Sequence, residues 1–479
     1  MSPTTARPTG RWRRVLVTAV ALTLGLGTTL ASALSHAPAA QAAPHIPSVL
    51  PAADRPSQWW YDAMGYDELH KYGTGKGITV AMIDLPIDPD VPELKGKLAS
   101  VKTLCPNQRL ATARDASADH ATNVASLIVG TGRGNGGPGV RGIAPDATLR
   151  YYAIGKDDND ICNNSVDQTM GQTVDQAVKD GAKIISISLS GQFNQPYFIE
   201  SLARAERAGV IVVAGTDDQG GVYYPALANG VVSVNFVDRH GKLDPDAAHG
   251  TQSAGKVDIA APGTNLLMGS HQGGRWVSGT CTCSGSSLAT PLVAGGLAAV
   301  WSHFPQATGN QLLQMMVNTP GLKQGTTSHG TRGWVYDFRR VGSGFPGVRQ
   351  SGGGYGWGIF DPADMMYRTA AQFPDVNPVL EVSNADTVLP TWSQVTGKPL
   401  PGQGASATAT GTPSATSGAA ANAPRSTGGG GSPLPWVLGG VVIVLVAAGG
   451  AAMAVRRGRS RQVPAKEKAL EGSSHGSGS

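Results

Sequence analysis

Charge and aromatic surface are both scarce in this chain. Only 15% of its 479 residues are Asp, Glu, Lys or Arg, and only 6% are Phe, Trp or Tyr. The formal net charge is +5, but the middle of the chain carries no net positive charge. Residues 1–42 carry four Arg and no acid, and residues 456–479 carry six basic and two acidic side chains, which leaves −3 for the residues between. A nucleic-acid binder holds its basic charge on the folded body, so no nucleic-acid partner is expected. Cysteine is sparse: Cys105, Cys162, Cys281 and Cys283. No CxxC pair occurs and no His stands at zinc-ligand spacing, so neither a metal nor a cofactor is expected. Gly (65) and Pro (32) supply about a fifth of the chain, while 41% hydrophobic residues suffice for a large core.

The two ends carry membrane signals. Arg11, Arg13 and Arg14 precede an apolar stretch from Val15 to about Leu30, and Ala40-Gln41-Ala42 is a small-x-small cleavage signal. Residues 1–42 therefore read as a signal peptide, with an uncleaved anchor as the alternative. Trp436–Val455 is a run of 20 residues without a charge. At 1.5 Å per residue it spans a bilayer core. Arg456, Arg457, Arg459 and Arg461 follow at once. The expectation is a transmembrane helix over 434–455, a basic cytoplasmic tail over 456–479, and residues 43–433 outside the membrane.

An even number of cysteines in an exported body permits two disulfides, with three pairings open. Cys105 and Cys162 both lie in polar, loop-like stretches, SVKTLCPN and DNDICNNS. They are expected to pair, which leaves Cys281 and Cys283, one residue apart, for a bridge that this spacing would strain.

Residues 43–75 form a polar N-terminal extension with one aromatic cluster, Trp59-Trp60-Tyr61. Residues 76–370 read as one α/β unit. Ile78–Ile83 is a continuous apolar run, the pattern of a buried parallel strand. Val174, Ala177 and Val178 recur at helical spacing before Gly181; Lys183–Leu189 is the next strand, Ser201–Ala208 a helix, and 209–214, 231–237 and 257–260 further strands. Such alternation predicts a mostly parallel sheet between helices. Residues 371–433 are assigned to a flexible linker. Its part from about Pro399 is nearly all Gly, Ser, Thr, Ala and Pro. Residues 370–398 fit either the start of that stalk or a last strap on the body.

Three segments carry chemistry. Asp84 ends the first strand, where open α/β sheets place their sites. His120 opens an apolar-periodic stretch, Ala121, Val124, Ala125 and Ile128, so it stands in the first turn of a helix. Histidine is the natural general base near neutrality. Ser287 lies among small residues at the start of a long Ala- and Gly-rich helix, where free backbone N–H groups can hold an oxyanion.

In the order Asp, His, Ser these segments resemble the subtilisin-like serine proteases. The matching pieces are GKGITVAMID around Asp84, the pattern H-x-T-x-V-A-x-x-I-x-G from His120, GIAPDATL, VDIAAPG and GYGWGIFDPADM. The resemblance covers about residues 75–370 and implies a three-layer fold. It also implies a nucleophile Ser287, a base His120, an orienting Asp84, and a substrate cleft edged by Ser188, Leu189, Ser190, Ala214 and Gly215. Within the clan the architecture is most similar to the mycosins, membrane-anchored proteases of type VII secretion systems. That likeness implies a protein or peptide substrate and a membrane secretion complex as partner. The chain departs from the family pattern at Thr216, which stands where the family has an oxyanion-binding Asn. Milder departures are Leu85-Pro86, Ala121 and Ser190. Calcium occurs in the clan, but Asp88 and Asp90 are too few ligands to predict a site. The two functions expected are a slow or selective endopeptidase and a weakly active fold retained as a structural component.

Overall fold

The computed structural model describes residues 58–402, apart from 107, 109–110, 156–161, 163–165, 219–220, 244–255, 320–322, 327–331 and 336–353. Seven strands form one parallel sheet: β1 (Thr79–Asp84), β2 (Leu98–Thr103), β3 (Thr148–Ala153), β4 (Ile184–Ile187), β5 (Ile211–Gly215), β6 (Val232–Val237) and β7 (Ile259–Pro262). Their spatial order is β2-β3-β1-β4-β5-β6-β7. From β1 the chain builds first to one side and then, from β4 onward, to the other. A crevice therefore opens at the carboxyl ends of the strands beside β1, the place where such sheets bind ligands.

The helices are α1 (Trp60–Ala63), α2 (Tyr66–Tyr72), α3 (Asp119–Val129), α4 (Val166–Lys179), α5 (Pro196–Arg207), α6 (Ser286–His303), α7 (Gly309–Asn318), α8 (Pro362–Met365) and α9 (Trp392–Thr396). Helix α3 packs on α6, which also runs against β1 and β4–β7, whereas α4 pairs with α5 in a second helical layer. Strands β4, β5, β6 and β7 are buried along their whole length, as their continuous apolar runs require. Helix α6 is almost wholly buried, and its glycines let neighbours approach. A Cβ on Gly295 would lie 2.4 Å from Ile143, and one on Gly296 2.4 Å from Phe360.

The expected elements in the body are present with shifts of a residue or two, except that α5 starts earlier, at Pro196, which fits the first turn of a helix. The helix expected around Val174 extends from Val166. Strands β2 and β3 and the antiparallel hairpin of β8 (Leu266–Gln272) and β9 (Arg275–Cys283) complete the body beyond the expectation. A further antiparallel pair joins β10 (Lys323–Thr326) to β11 (Arg332–Val335).

Two segments at the margins belong to the body. In the N-terminal extension Trp60 is buried, Gln58 donates to the Gly139 carbonyl and Tyr61 to that of Arg141. Residues 371–402 also pack on the body as a strap and do not form part of the flexible linker expected from 371; the rest of that expected linker lies outside the described residues. Leu380 and Val395 are buried against Ala203 of α5. Asn229 fastens the strap: its side chain donates to the carbonyls of Glu381 and Pro390 and accepts from the Glu381 N–H. Apolar Val379, Leu380 and Val395 explain why this polar-looking stretch docks. Among the described residues no helix is long and apolar enough to cross a membrane. The expected signal peptide, transmembrane run and basic tail lie outside the described residues.

Candidate active site

Asp84 is the last residue of β1 and is fully buried. Its Oδ1 accepts from the Leu85 N–H (2.7 Å) and lies 2.9 Å from His120 Nδ1. His120 stands in the first turn of α3. The carboxylate thus fixes the ring through Nδ1 and leaves Nε2 for chemistry.

Helix α3 is itself held by the β8–β9 hairpin. Asn123 donates to the Gly269 carbonyl and accepts from its N–H. His271 bridges Asp119 Oδ1 (2.6 Å) and Asp88 Oδ2 (3.1 Å). Burial pushes the Asp119 carboxyl up, and the His271 contacts pull it back down. The hairpin ends in a disulfide between Cys281 and Cys283, three residues before α6, and a second bridge joins Cys105 to Cys162. Both bridges follow the expected pairing.

A small cleft opens beside this pair, lined by His120, Ser188, Leu189, Ser190, Gly215, Thr216, Asp217, Asp218, Ser286 and Ser287. Ser188–Ser190 follow the end of β4, and Thr216–Asp218 follow β5. Ser286 and Ser287 begin α6, after Gly285. The structure therefore brings Asp84, His120, Ser287, Thr216, Ser188, Leu189, Ser190 and Gly215 to one crevice. Ala214 is not among the lining residues; it is buried within β5, between Ile187 and Ser233.

The floor of the cleft is polar. Thr216 is 4% exposed, and its hydroxyl has no hydrogen-bond partner among the described residues. The Ser286 hydroxyl sits between the Thr216 carbonyl and Asp218 Oδ1, and Asp218 Oδ1 also accepts from the Ser286 N–H at 2.7 Å. Burial pushes the Asp218 carboxyl up to about 6; the Ser286 N–H and hydroxyl pull it down, Asp217 pushes it up, and His120 pulls it down. Asp218 and Ser286 were not singled out from the sequence. The only signal was an acidic pair after the strand that ends at the Thr216 position. Among the described residues no group of three or more His, Cys, Asp or Glu side chains is arranged to hold a metal ion.

The sheet order, the helix layers and the crevice define a subtilisin-like α/β fold. Residues 75–344 match the Subtilase family, and the chain belongs to it. It is 34% identical over 202 residues to the thermostable alkaline protease of Halalkalibacterium halodurans, a match that covers 42% of this chain and 52% of that protein. It is 31% identical over 235 residues to an intracellular serine protease of Paenibacillus polymyxa, covering 47% of this chain and 67% of that protein. The chain thus spans about half the length of the first of these relatives. Fervidolysin of Fervidobacterium pennivorans shares the fold, with a TM-score of 0.51 at 22% identity over 68% of this chain and 48% of that one.

Proposed function

We propose that the protein is a serine endopeptidase that acts on protein or peptide substrates outside the cytoplasm. The observation that carries this reading is the buried Asp84 held 2.9 Å from His120, in the crevice that also receives Ser287. Ser287 Oγ attacks the scissile carbonyl while His120 takes its proton and later passes it to the leaving amine. Asp84 keeps the imidazole in the required tautomer and stabilises its charged form. The Ser287 N–H, in the first turn of α6, supplies a backbone donor to the oxyanion, since the Ser286 N–H is taken by Asp218 and the Leu288 N–H by the Gly285 carbonyl. The test is covalent labelling by a fluorophosphonate: the wild type should be labelled and Ser287→Ala should not.

A second reading is a weakly active or inactive subtilisin fold that stabilises a membrane complex. Thr216 at the oxyanion position and two carboxylates in the cleft favour it, because negative charge opposes an oxyanion. A folded wild type that resists labelling at every pH would establish this reading over the first.

The same proposal includes a location. Residues 1–42 are a cleaved signal peptide and 434–455 a single transmembrane helix, so the body is tethered to the outer face of the membrane as in the mycosins, beside a type VII secretion complex. The charge clusters at the two ends and the uncharged run of 20 residues support this. Protease treatment of intact cells should remove the body and spare a C-terminal tag; loss of the tag would refute the topology. Co-purification of the chain with secretion components from solubilised membranes tests the partner.

A further inference from the structure

We propose that Asp218 is a proton-gated donor to the oxyanion, so that the site works when this carboxyl is protonated and is blocked when it ionises. The inference rests on the protease reading and adds a residue to it.

The geometry has three parts. Asp218 Oδ1 accepts from the Ser286 N–H (2.7 Å), while the single hydroxyl proton of Ser286 has the Thr216 carbonyl as its nearer acceptor and Asp218 Oδ1, at 2.9 Å, as the other. With Oδ1 held as an acceptor of the N–H, the proton of this carboxyl is assigned to Oδ2, which takes no hydrogen bond among the described residues. Asp218 Oδ2 and the nucleophile flank one point: a Cβ built on Gly285 would lie 2.8 Å from that oxygen and 3.2 Å from Ser287 Oγ. Glycine at 285 keeps this space open. Finally, the other side chain at the oxyanion end of the cleft is Thr216, whose buried hydroxyl has no partner among the described residues. Thr216 and Asp218 line the same cleft as Ser287.

The chemistry follows from where charge develops. Attack of Ser287 Oγ forms the C–O bond, sends the hydroxyl proton to His120 and moves the carbonyl π electrons onto oxygen. A protonated Asp218 donates a hydrogen bond to that oxygen and keeps its own proton. An ionised Asp218 offers only lone pairs and repels it. Collapse of the intermediate breaks the C–N bond as His120 protonates the amine. Among the described residues, the titratable groups facing Asp218 are Asp217, from its own loop, and His120, from α3. Asp217 favours the protonated form and a charged His120 opposes it. Because His120 must be neutral to act as base, its protonation opposes activity at low pH as ionisation of Asp218 does at high pH, and the profile is a bell.

The probe is a fluorophosphonate, whose reaction with Ser287 places an anionic oxygen in the same position. The rate of labelling, separated into kinact and KI, is measured from pH 4.5 to 8.5 on the full-length chain. Wild-type kinact should fall at least about tenfold from its optimum to pH 8. Asp218→Asn keeps an acceptor for the Ser286 N–H and offers a neutral amide at every pH. It should abolish the fall above pH 6 and raise kinact at pH 8 about tenfold, with little change in KI. Asp218→Ala should be slower than wild type at the optimum. A wild-type rate that climbs through pH 6 to a plateau, or an Asp218→Asn profile that matches wild type, would overturn the proposal while leaving the protease reading intact. Labelling absent from the folded wild type and both variants at all pH values would overturn both.

Discussion

Ser188 Oγ lies 2.9 Å from the carbonyl oxygen of Ser287, and it donates to that carbonyl because Pro291 cannot. In a regular helix the N–H four residues on would take this bond. Pro291 sits inside α6 and has no N–H. The freed carbonyl belongs to Ser287, the proposed nucleophile, and its partner comes from the segment after β4 that edges the cleft. Ser287 is thus tied to the substrate-binding edge by a bond that the helix has given up.

Replacing Ser188 with Ala leaves that carbonyl without its donor, which costs about 1–3 kcal/mol where water cannot reach it. Labelling of Ser287 should slow by roughly tenfold or more, since small displacements of a nucleophile are expensive. Pro291→Ala restores the N–H and draws the carbonyl back into the helix. Its melting temperature should equal or exceed that of wild type, while labelling slows. Full labelling rates in both variants would show that the bond does not position the nucleophile.

The two disulfides should differ sharply in their contribution to stability. Cys105 and Cys162 are 57 residues apart, whereas Cys281 and Cys283 are two apart. Chain entropy alone assigns about 4 kcal/mol to the longer loop and under about 2 kcal/mol to the shorter. Denaturant titration of the two double Cys→Ser variants measures this. Equal losses would mean that the short bridge acts mainly through the native hairpin. Non-reduced peptide mapping checks the pairing itself.

Stability should fall as pH rises from about 4 to neutrality, and Glu206 is the main reason. Its carboxyl is buried at the end of α5 against Gly230, with neither oxygen hydrogen-bonded among the described residues, and burial pushes it well above its ordinary value. The folded state then holds a proton that the unfolded chain releases near pH 4. Unfolding is favoured increasingly as pH rises between those two values. Asp361, pushed up to about 8 by burial, adds a slope of the same sign. Glu206→Gln should therefore flatten the pH dependence without abolishing it, and its melting temperature relative to wild type should rise by about 5 °C between pH 5 and pH 8. A constant difference across that range would assign the slope elsewhere.

What could be read from the sequence depended on how local each signal was. Asp84, His120 and Ser287 each stand where an apolar pattern starts or stops, so their places on a strand end and two helix starts were legible. The β8–β9 hairpin had a local signal that was overlooked: Gly273-Gly274 joins the strands, with φ of 57° and 76°. Strand β2 gives no clean apolar run, because it is the edge strand and only partly buried. Asp218 is different in kind. Its importance comes from Ser286, 68 residues away, and no local pattern specifies that meeting. The strap was ambiguous because its docking rests on a few apolar side chains and on Asn229, more than 150 residues before Glu381.

Thr216 gives a prediction that separates geometry from charge. It follows β5 directly, its N–H is held by the Val234 carbonyl, and its hydroxyl is buried in the cleft without a partner among the described residues. A hydroxyl reaches less far than a carboxamide. Loss of one oxyanion donor costs about 10²–10³-fold in rate, so a donor that falls short forfeits part of that. Thr216→Asn should raise kinact with the fluorophosphonate by about tenfold or more, with KI nearly unchanged, because the bond forms only as charge develops. The gain should be present on both sides of pH 6, since an amide does not titrate there. Asp218→Asn differs in this respect, because its benefit should be confined to the pH range in which the carboxylate is ionised. In the double variant the two gains at pH 8 should be less than multiplicative, because both amides serve one oxygen. An unchanged rate for Thr216→Asn, with wild-type labelling already fast, would mean that Thr216 does not face the oxyanion and that the second donor comes from elsewhere in the cleft.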